Sequence, residues 1–162
     1  MYRQGVNMSK MPQFPQKEIK PVPPFREYPG GFLNQKYMMP VDRIKQVYND
    51  GNVVGISCDL LVPAYHGYPL SMIHHIRAKY DFLEFTNDPM TLTVEGHTYT
   101  FAEMTTMSTL YWEFGEFATL FIPVPGGAGL GQHRLEVYVA FNGNGPRVSE
   151  TGVVAEFNML EV

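Results

Sequence analysis

Met90-Thr91-Leu92-Thr93-Val94-Glu95-Gly96-His97-Thr98-Tyr99-Thr100 is the stretch on which the reading of the fold turns. Met90, Leu92 and Val94 alternate with Thr91, Thr93 and Glu95, the period of a strand with one face buried and one face wet. Glu95-Gly96-His97 then reads as a tight turn, because glycine takes positive φ at no steric cost. The threonines and tyrosine that follow suit a returning strand, with Thr98 to Phe101 as its expected extent. A hairpin of this kind is the signature of an antiparallel sheet.

The same texture extends in both directions. Upstream, Val41 to Tyr48 reads as a strand, Asn49-Asp50-Gly51-Asn52 as a turn, and Val53 to Val62 as a buried strand that Pro63 ends. Ser71 to Phe85 alternates roughly, with Ile76, Ala78, Tyr80 and Phe82 on one side, before Asn87-Asp88-Pro89 turns the chain. Downstream, Ala102-Glu103-Met104 allows one helical turn. Thr109 to Phe114 and Phe117 to Val124 read as a pair of strands around Gly115-Glu116. Pro125 to Gly131 is a glycine loop, His133 to Phe141 alternates through Leu135, Val137, Val139 and Phe141, and Asn142 to Pro146 turns again. Val148 to Val162 supplies a last strand or two. About nine strands with turns every 8 to 12 residues predict an all-β antiparallel β-sandwich, with a barrel as the alternative.

Residues 1–40 have a different composition. Seven prolines, from Pro12 to Pro40, are interleaved with Phe14, Phe25, Tyr28, Phe32 and Tyr37. Prolines at this density oppose helix and central strand, while the aromatics call for a surface to pack on. The expected division is an extended Pro- and aromatic-rich arm over 1–40 and a β-sandwich domain over 41–162, one domain by size.

Composition narrows the function classes. Lys and Arg number 12 against 16 Asp and Glu, with no basic run, so nucleic acid and anionic membrane are set aside as partners. No apolar run approaches the ~18 residues of a membrane span, and no secretory signal is seen, so a cytoplasmic location is the default expectation. Cys58 is the single cysteine, which excludes an intrachain disulfide; it reads as a small buried hydrophobe.

Signs of chemistry are sparse. The glycines of 125–131 precede a strand rather than a helix N-terminus, so a hairpin loop is expected there, not a phosphate cradle. His66, His74, His75, His97 and His133 form no metal motif; His74 and His75 are neighbours that an ordinary strand points to opposite faces. Glu113 with Glu116, and Glu95 with Glu103, read as solvated turn charges. There is no G-x-S-x-G. What remains is two aromatic clusters, Tyr65-His66-Gly67-Tyr68-Pro69-Leu70-Ser71 and Tyr111-Trp112-Glu113-Phe114-Gly115. Their tyrosines, tryptophan and phenylalanine suit a ring-binding platform, a partner interface or plain core.

Val53-Val54-Gly55, Leu61-Val62-Pro63-Ala64-Tyr65 and Gly67-Tyr68-Pro69-Leu70-Ser71-Met72-Ile73, in that order, resemble the small beta subunit of bacterial C-glycoside deglycosidases. Val94 to Thr100, Trp112-Glu113-Phe114-Gly115-Glu116, Pro125-Gly126-Gly127 and Leu130-Gly131-Gln132-His133 continue the likeness over roughly 45–140. The arm before residue 41 is longer than the pattern, and Asn142 to Arg147 is Gly/Asn-rich where an aromatic-proline stretch is expected.

The resemblance implies a two-subunit carbon-carbon lyase. It cleaves the bond between a 3-oxo sugar and an aromatic aglycone, a flavonoid being the expected type. The alpha subunit would be a sugar-isomerase-like barrel holding a divalent metal, with manganese the expected ion, and the base. This chain would carry no cofactor and no catalytic residue. Its expected contributions are Tyr65, His66, Gly67, Tyr68, Pro69, Trp112, Glu113 and Phe114, as a partner interface or a wall of the active site. The competing classes are a stand-alone carbohydrate- or aryl-glycoside-binding β-sandwich and a metal-dependent β-barrel enzyme.

Overall fold

The structure is a computed structural model that describes residues 35–143 and 149–160. Eleven strands follow in order: β1 Lys45–Asn49, β2 Asn52–Leu61, β3 Tyr68–Pro69, β4 Ile73–Tyr80, β5 Leu83–Thr86, β6 Thr91–Val94, β7 His97–Tyr99, β8 Tyr111–Trp112, β9 Phe117–Ile122, β10 Gly131–Phe141 and β11 Ser149–Met159. Two single-turn helices accompany them, α1 Gln35–Met38 and α2 Phe101–Met104.

The strands form two antiparallel sheets in the orders β1-β2-β9-β6-β7 and β11-β10-β4-β5, with β3 and β8 as a separate two-stranded ribbon. This is the expected sandwich; among the described strands each large sheet ends in two edges, so no barrel closes. One continuous core draws Ile56, Cys58 and Leu60 from β2 and Leu120 from β9. The facing sheet adds Ile76 from β4, Val137 from β10 and Ala155 from β11. Cys58 is fully buried, and burial pushes its thiol pKa well up, so it is a packing residue with no thiolate character.

The opening hairpin forms as its sequence dictates. Glu95 and Gly96 sit at φ 50° and 78°, and Leu92, Thr93 and Val94 pair with Tyr99, Thr98 and His97. Thr100 then caps α2: its Oγ1 accepts from Glu103 N at 3.3 Å, and Glu103 Oε1 accepts from Thr100 N at 3.4 Å. This helical turn takes Phe101 out of the expected strand.

Several expectations change. After Pro40, Val41–Arg43 is a 3-10 turn, and the first strand starts only at Lys45. Asp81 turns the chain at φ 49°, so Phe82 lies at a hairpin tip and is 96% exposed rather than in line with Ile76, Ala78 and Tyr80. The segments around Gly115-Glu116 do not pair with each other. β9 sits between β2 and β6, both of its edges are taken, and β8 pairs with β3 instead. For the same reason the loop over 125–131 is not a hairpin: it carries the chain from one sheet to the other. Of the arm expected over 1–40, residues 1–34 lie outside the described residues. The proline-free Gln35–Met38 is helical rather than extended, and Met39 is wholly buried in the core. Part of the Asn142 to Pro146 turn also lies outside the described residues.

Candidate functional site

The two aromatic clusters, more than forty positions apart in the chain, meet in space. Tyr68 pairs with Trp112 and Pro69 with Tyr111 across the β3-β8 ribbon. Two further bonds fasten it, Leu70 N donating to Leu110 O at 2.9 Å and Ser71 N to Met107 O at 3.0 Å. Gly67 is needed for this approach: a Cβ there would lie 2.8 Å from Glu113 Oε2 and 3.0 Å from Trp112 O.

The ribbon has an inner and an outer side. Inside, Trp112 is 1% exposed, its Nε1 donates to Glu116 O at 3.1 Å, and its ring lies 6.4 Å from that of Phe141. Tyr68 stacks on Phe141 at 4.1 Å with the planes 10° apart. Trp112 is therefore packed in the core of this chain. The indole is the largest apolar group within reach of the sandwich end and is drawn in with its N–H satisfied.

Outside, Tyr65 is 99% exposed, Phe114 64% and Tyr111 41%. His66 and Glu113 are also exposed, and Pro69 and Gly67 are half-buried. His66 Nδ1 donates to Gly67 O at 2.7 Å, which leaves Nε2 as the acceptor of the neutral ring on this surface. Its ring leans on Tyr68 at 4.4 Å. An apolar and aromatic surface flanked by one imidazole and one carboxylate is suited to binding.

A second polar assembly escapes any reading of sequence spacing. Phe141 pairs with Ile73 and Ala140 with His75, so His74 is the extra residue of a bulge. The bulge turns His74 toward its neighbour, and the two Nδ1 atoms lie 2.6 Å apart. The expectation that the two rings point to opposite faces fails for this reason. His75 is fully buried; its Nε2 donates to Glu150, which also receives Arg77 Nε at 3.0 Å and Arg77 Nη2. A single proton lies between the two Nδ1 atoms, one ring donating and the other accepting. Burial alone would raise the Glu150 pKa, but the bonds from His75 and Arg77 outweigh it and hold the carboxyl below its ordinary value.

A third group ties the sheet-crossing loop down. His133 Nδ1 donates to Asp81 Oδ2 at 2.7 Å and Nε2 to Gly129 O at 2.6 Å. Two acceptors require a doubly protonated ring. Partial burial opposes that charge, but Asp81 and the Gly129 carbonyl prevail, and the pKa stands above the usual histidine value. A raised folded pKa stabilises the fold fully below the unfolded value of about 6.5, and the contribution is lost as pH rises through the folded value. Unfolding by denaturant at stepped pH is expected to show stability falling as pH rises above about 6.5, and Asp81→Asn to remove that slope.

Among the described residues, no group of three or more His, Cys, Asp or Glu is arranged to hold a metal ion. Two surface grooves, of about 290 and 480 Å³, are lined by Asp81, His133 and Arg134 and by Ile44, Phe157 and Met159 respectively. Neither includes a residue of the ribbon. No helix among the described residues is long and apolar enough to cross a membrane.

Fold and site together define an antiparallel β-sandwich protein with an exposed aromatic ribbon at its surface. The sequence model of the family described as C-glycoside deglycosidase beta subunit matches residues 34–143, two-thirds of the chain, and the chain belongs to that family. Among curated proteins none matches it. As a beta subunit it has an alpha subunit for a partner, in a hetero-oligomeric enzyme.

Proposed function

We propose that this chain is the accessory subunit of a carbon-carbon lyase acting on 3-oxo-C-glycosides of aromatic aglycones such as flavonoids, and that the β3-β8 ribbon docks on the alpha subunit. In that reaction a C3 ketone acidifies the sugar C2–H. A base removes the proton, a C1–C2 double bond forms, and the C1–aryl bond breaks with its electron pair passing to the phenolic ring, which takes up a proton. The base and the divalent metal, manganese being the expected ion, are assigned to the alpha subunit, read as a sugar-isomerase-like barrel. No step is routed through this chain, whose role is to hold partner loops and exclude water.

The observation that carries the docking assignment is the convergence of two distant clusters into one surface that exposes Tyr65, His66, Tyr111, Glu113 and Phe114. Large exposed aromatics cost solvation in a lone subunit and are the residue type that dominates interface energetics. Tyr65→Ala with Phe114→Ala is expected to weaken the complex by about 2 kcal/mol or more, roughly 30-fold in Kd. The stability of the isolated chain should change by no more than about 0.5 kcal/mol, because both rings are exposed. Titration of the tagged chain against the alpha subunit, with turnover of a 3-oxo-C-glycoside measured at each point, reads both quantities. Unchanged affinity and turnover in the double variant would remove the ribbon from the interface. A chain that captures no partner and binds aryl glycosides alone would replace the subunit reading with that of a binding module.

A further inference from the structure

The loop over 125–131 is fastened at two points of unlike kind. At Ala128 the fastening does not titrate. Ala128 N donates to Gln46 Oε1 at 2.9 Å, Gln46 Nε2 donates back to Ala128 O, and Ala128 is fully buried. Beside it Gly127 N donates to Val124 O at 2.9 Å. At Gly129 the fastening is the bond from His133 Nε2 to the carbonyl oxygen.

That second bond exists only while the ring carries both protons. A neutral imidazole has one N–H, and here both nitrogens face oxygen. Asp81 holds the remaining proton, for two reasons. Its acceptor is charged. The carboxylate is also fixed, since Oδ1 accepts from Arg134 N at 2.9 Å while Asp81 N donates to Arg134 O at 2.9 Å. The proton that leaves is therefore the one on Nε2, whose lone pair then faces the Gly129 oxygen. The other groups around the ring do not change this order. β4 sets the Tyr80 ring 5.2 Å away, a neutral phenol because burial and then Asp81 push its pKa up to about 12. β11 sets the Phe157 ring at 5.7 Å. Arg134 and Glu156, which line the groove beside the ring, bond each other at 3.0 Å, and Arg134 also bonds Glu136 at 3.3 Å.

Little burial opposes movement of Gly129-Leu130. Leu130 is 66% exposed, and no described atom lies within 4 Å of where a Cβ on Gly129 would stand. Beyond them Gly131, at φ 102°, is already paired with Met159.

We propose that Gly129-Leu130 is a pH-gated flap: doubly protonated His133 latches it down, and loss of the Nε2 proton frees it to swing between Ala128 and Gly131. The latch stands where β4 ends and β10 begins, whereas the ribbon stacks on Phe141 at the other end of β10. The inference does not depend on the ribbon assignment.

NMR on the full-length chain, enriched in carbon-13 and nitrogen-15, tests it. Ring nitrogen shifts give the His133 pKa. Relaxation at Cα, which carries no exchangeable proton, is then compared about one pH unit below and above that value, where roughly 90% of the ring is in one form. Order parameters at Gly129 and Leu130 are expected to fall from about 0.85 to below about 0.6 on the alkaline side, while Ala128, Tyr68 and Trp112 keep theirs. Asp81→Asn should move the midpoint of this loosening to lower pH together with the His133 pKa. Equal order at Gly129 and Leu130 in both forms would overturn the proposal. So would a midpoint that departs from the His133 titration, a His133 pKa at or below about 6.5, or a loss of order that spreads to Tyr68 and Trp112.

Discussion

Trp112→Ala is expected to lower the unfolding free energy by about 3–5 kcal/mol, the usual cost of deleting a fully buried large aromatic. The ring closes one end of the core beside Phe141, and its N–H satisfies the Glu116 carbonyl that shapes the Gly115 turn. Loss of the indole leaves a cavity and an unanswered carbonyl together. Denaturant unfolding followed by circular dichroism checks the magnitude. Because Tyr111, Phe114 and Tyr65 are carried on the same ribbon, partner binding should fall as well, but only in proportion to the loss of folded protein. Binding that fails while the folded fraction is intact would assign Trp112 a direct contact that its burial argues against.

Arg77→Met is expected to cost about as much, ~3–5 kcal/mol, for a different reason: it leaves Glu150 charged in a buried setting with one of its partners removed. The pH dependence separates the two cases. Glu150 has a depressed folded pKa, so its contribution is present above the ordinary carboxylate value and is lost as pH falls through the depressed one. In Arg77→Met that acid transition should move to higher pH, whereas in Trp112→Ala it should stay in place. Pairing Arg77→Met with Glu150→Gln should recover part of the loss, since removing both charges leaves less to desolvate. Acid unfolding monitored across pH 2–6 reads the shift.

How much of this was legible in the chain differs by feature. The hairpin at Glu95-Gly96, the strand expected over Val53 to Val62 and found as Asn52–Leu61, and the turn at Asp50-Gly51 follow local rules, alternation and positive-φ tolerance. Strand partners did not. Thr109 to Phe114 and Phe117 onward look like a hairpin because they are adjacent. Yet β9 gains more by burying Ala118, Leu120 and Ile122 between β2 and β6, and only the assembled sheet offers that place. The two aromatic clusters were visible as clusters, but their union was not, since nothing in either one encodes the other. Their division into an inner Trp112 and an outer Phe114 depends on which side of the ribbon meets Phe141.

The polar assemblies were the least legible. Arg77 and Glu150 are 73 positions apart, and Asp81 and His133 are 52 apart. The only local hint was the His74-His75 pair itself, and that was read through ideal strand geometry, which a one-residue bulge reverses. By itself, the sequence determined the class of fold, the turns at Asp50-Gly51 and Glu95-Gly96, the family and the two aromatic clusters. These are short-range or compositional properties, set by backbone sterics and side-chain periodicity. Only the tertiary structure decided which strands pair, which aromatics face water and which charges neutralise one another. Those outcomes come from competition among all segments for one core, and no local pattern records it.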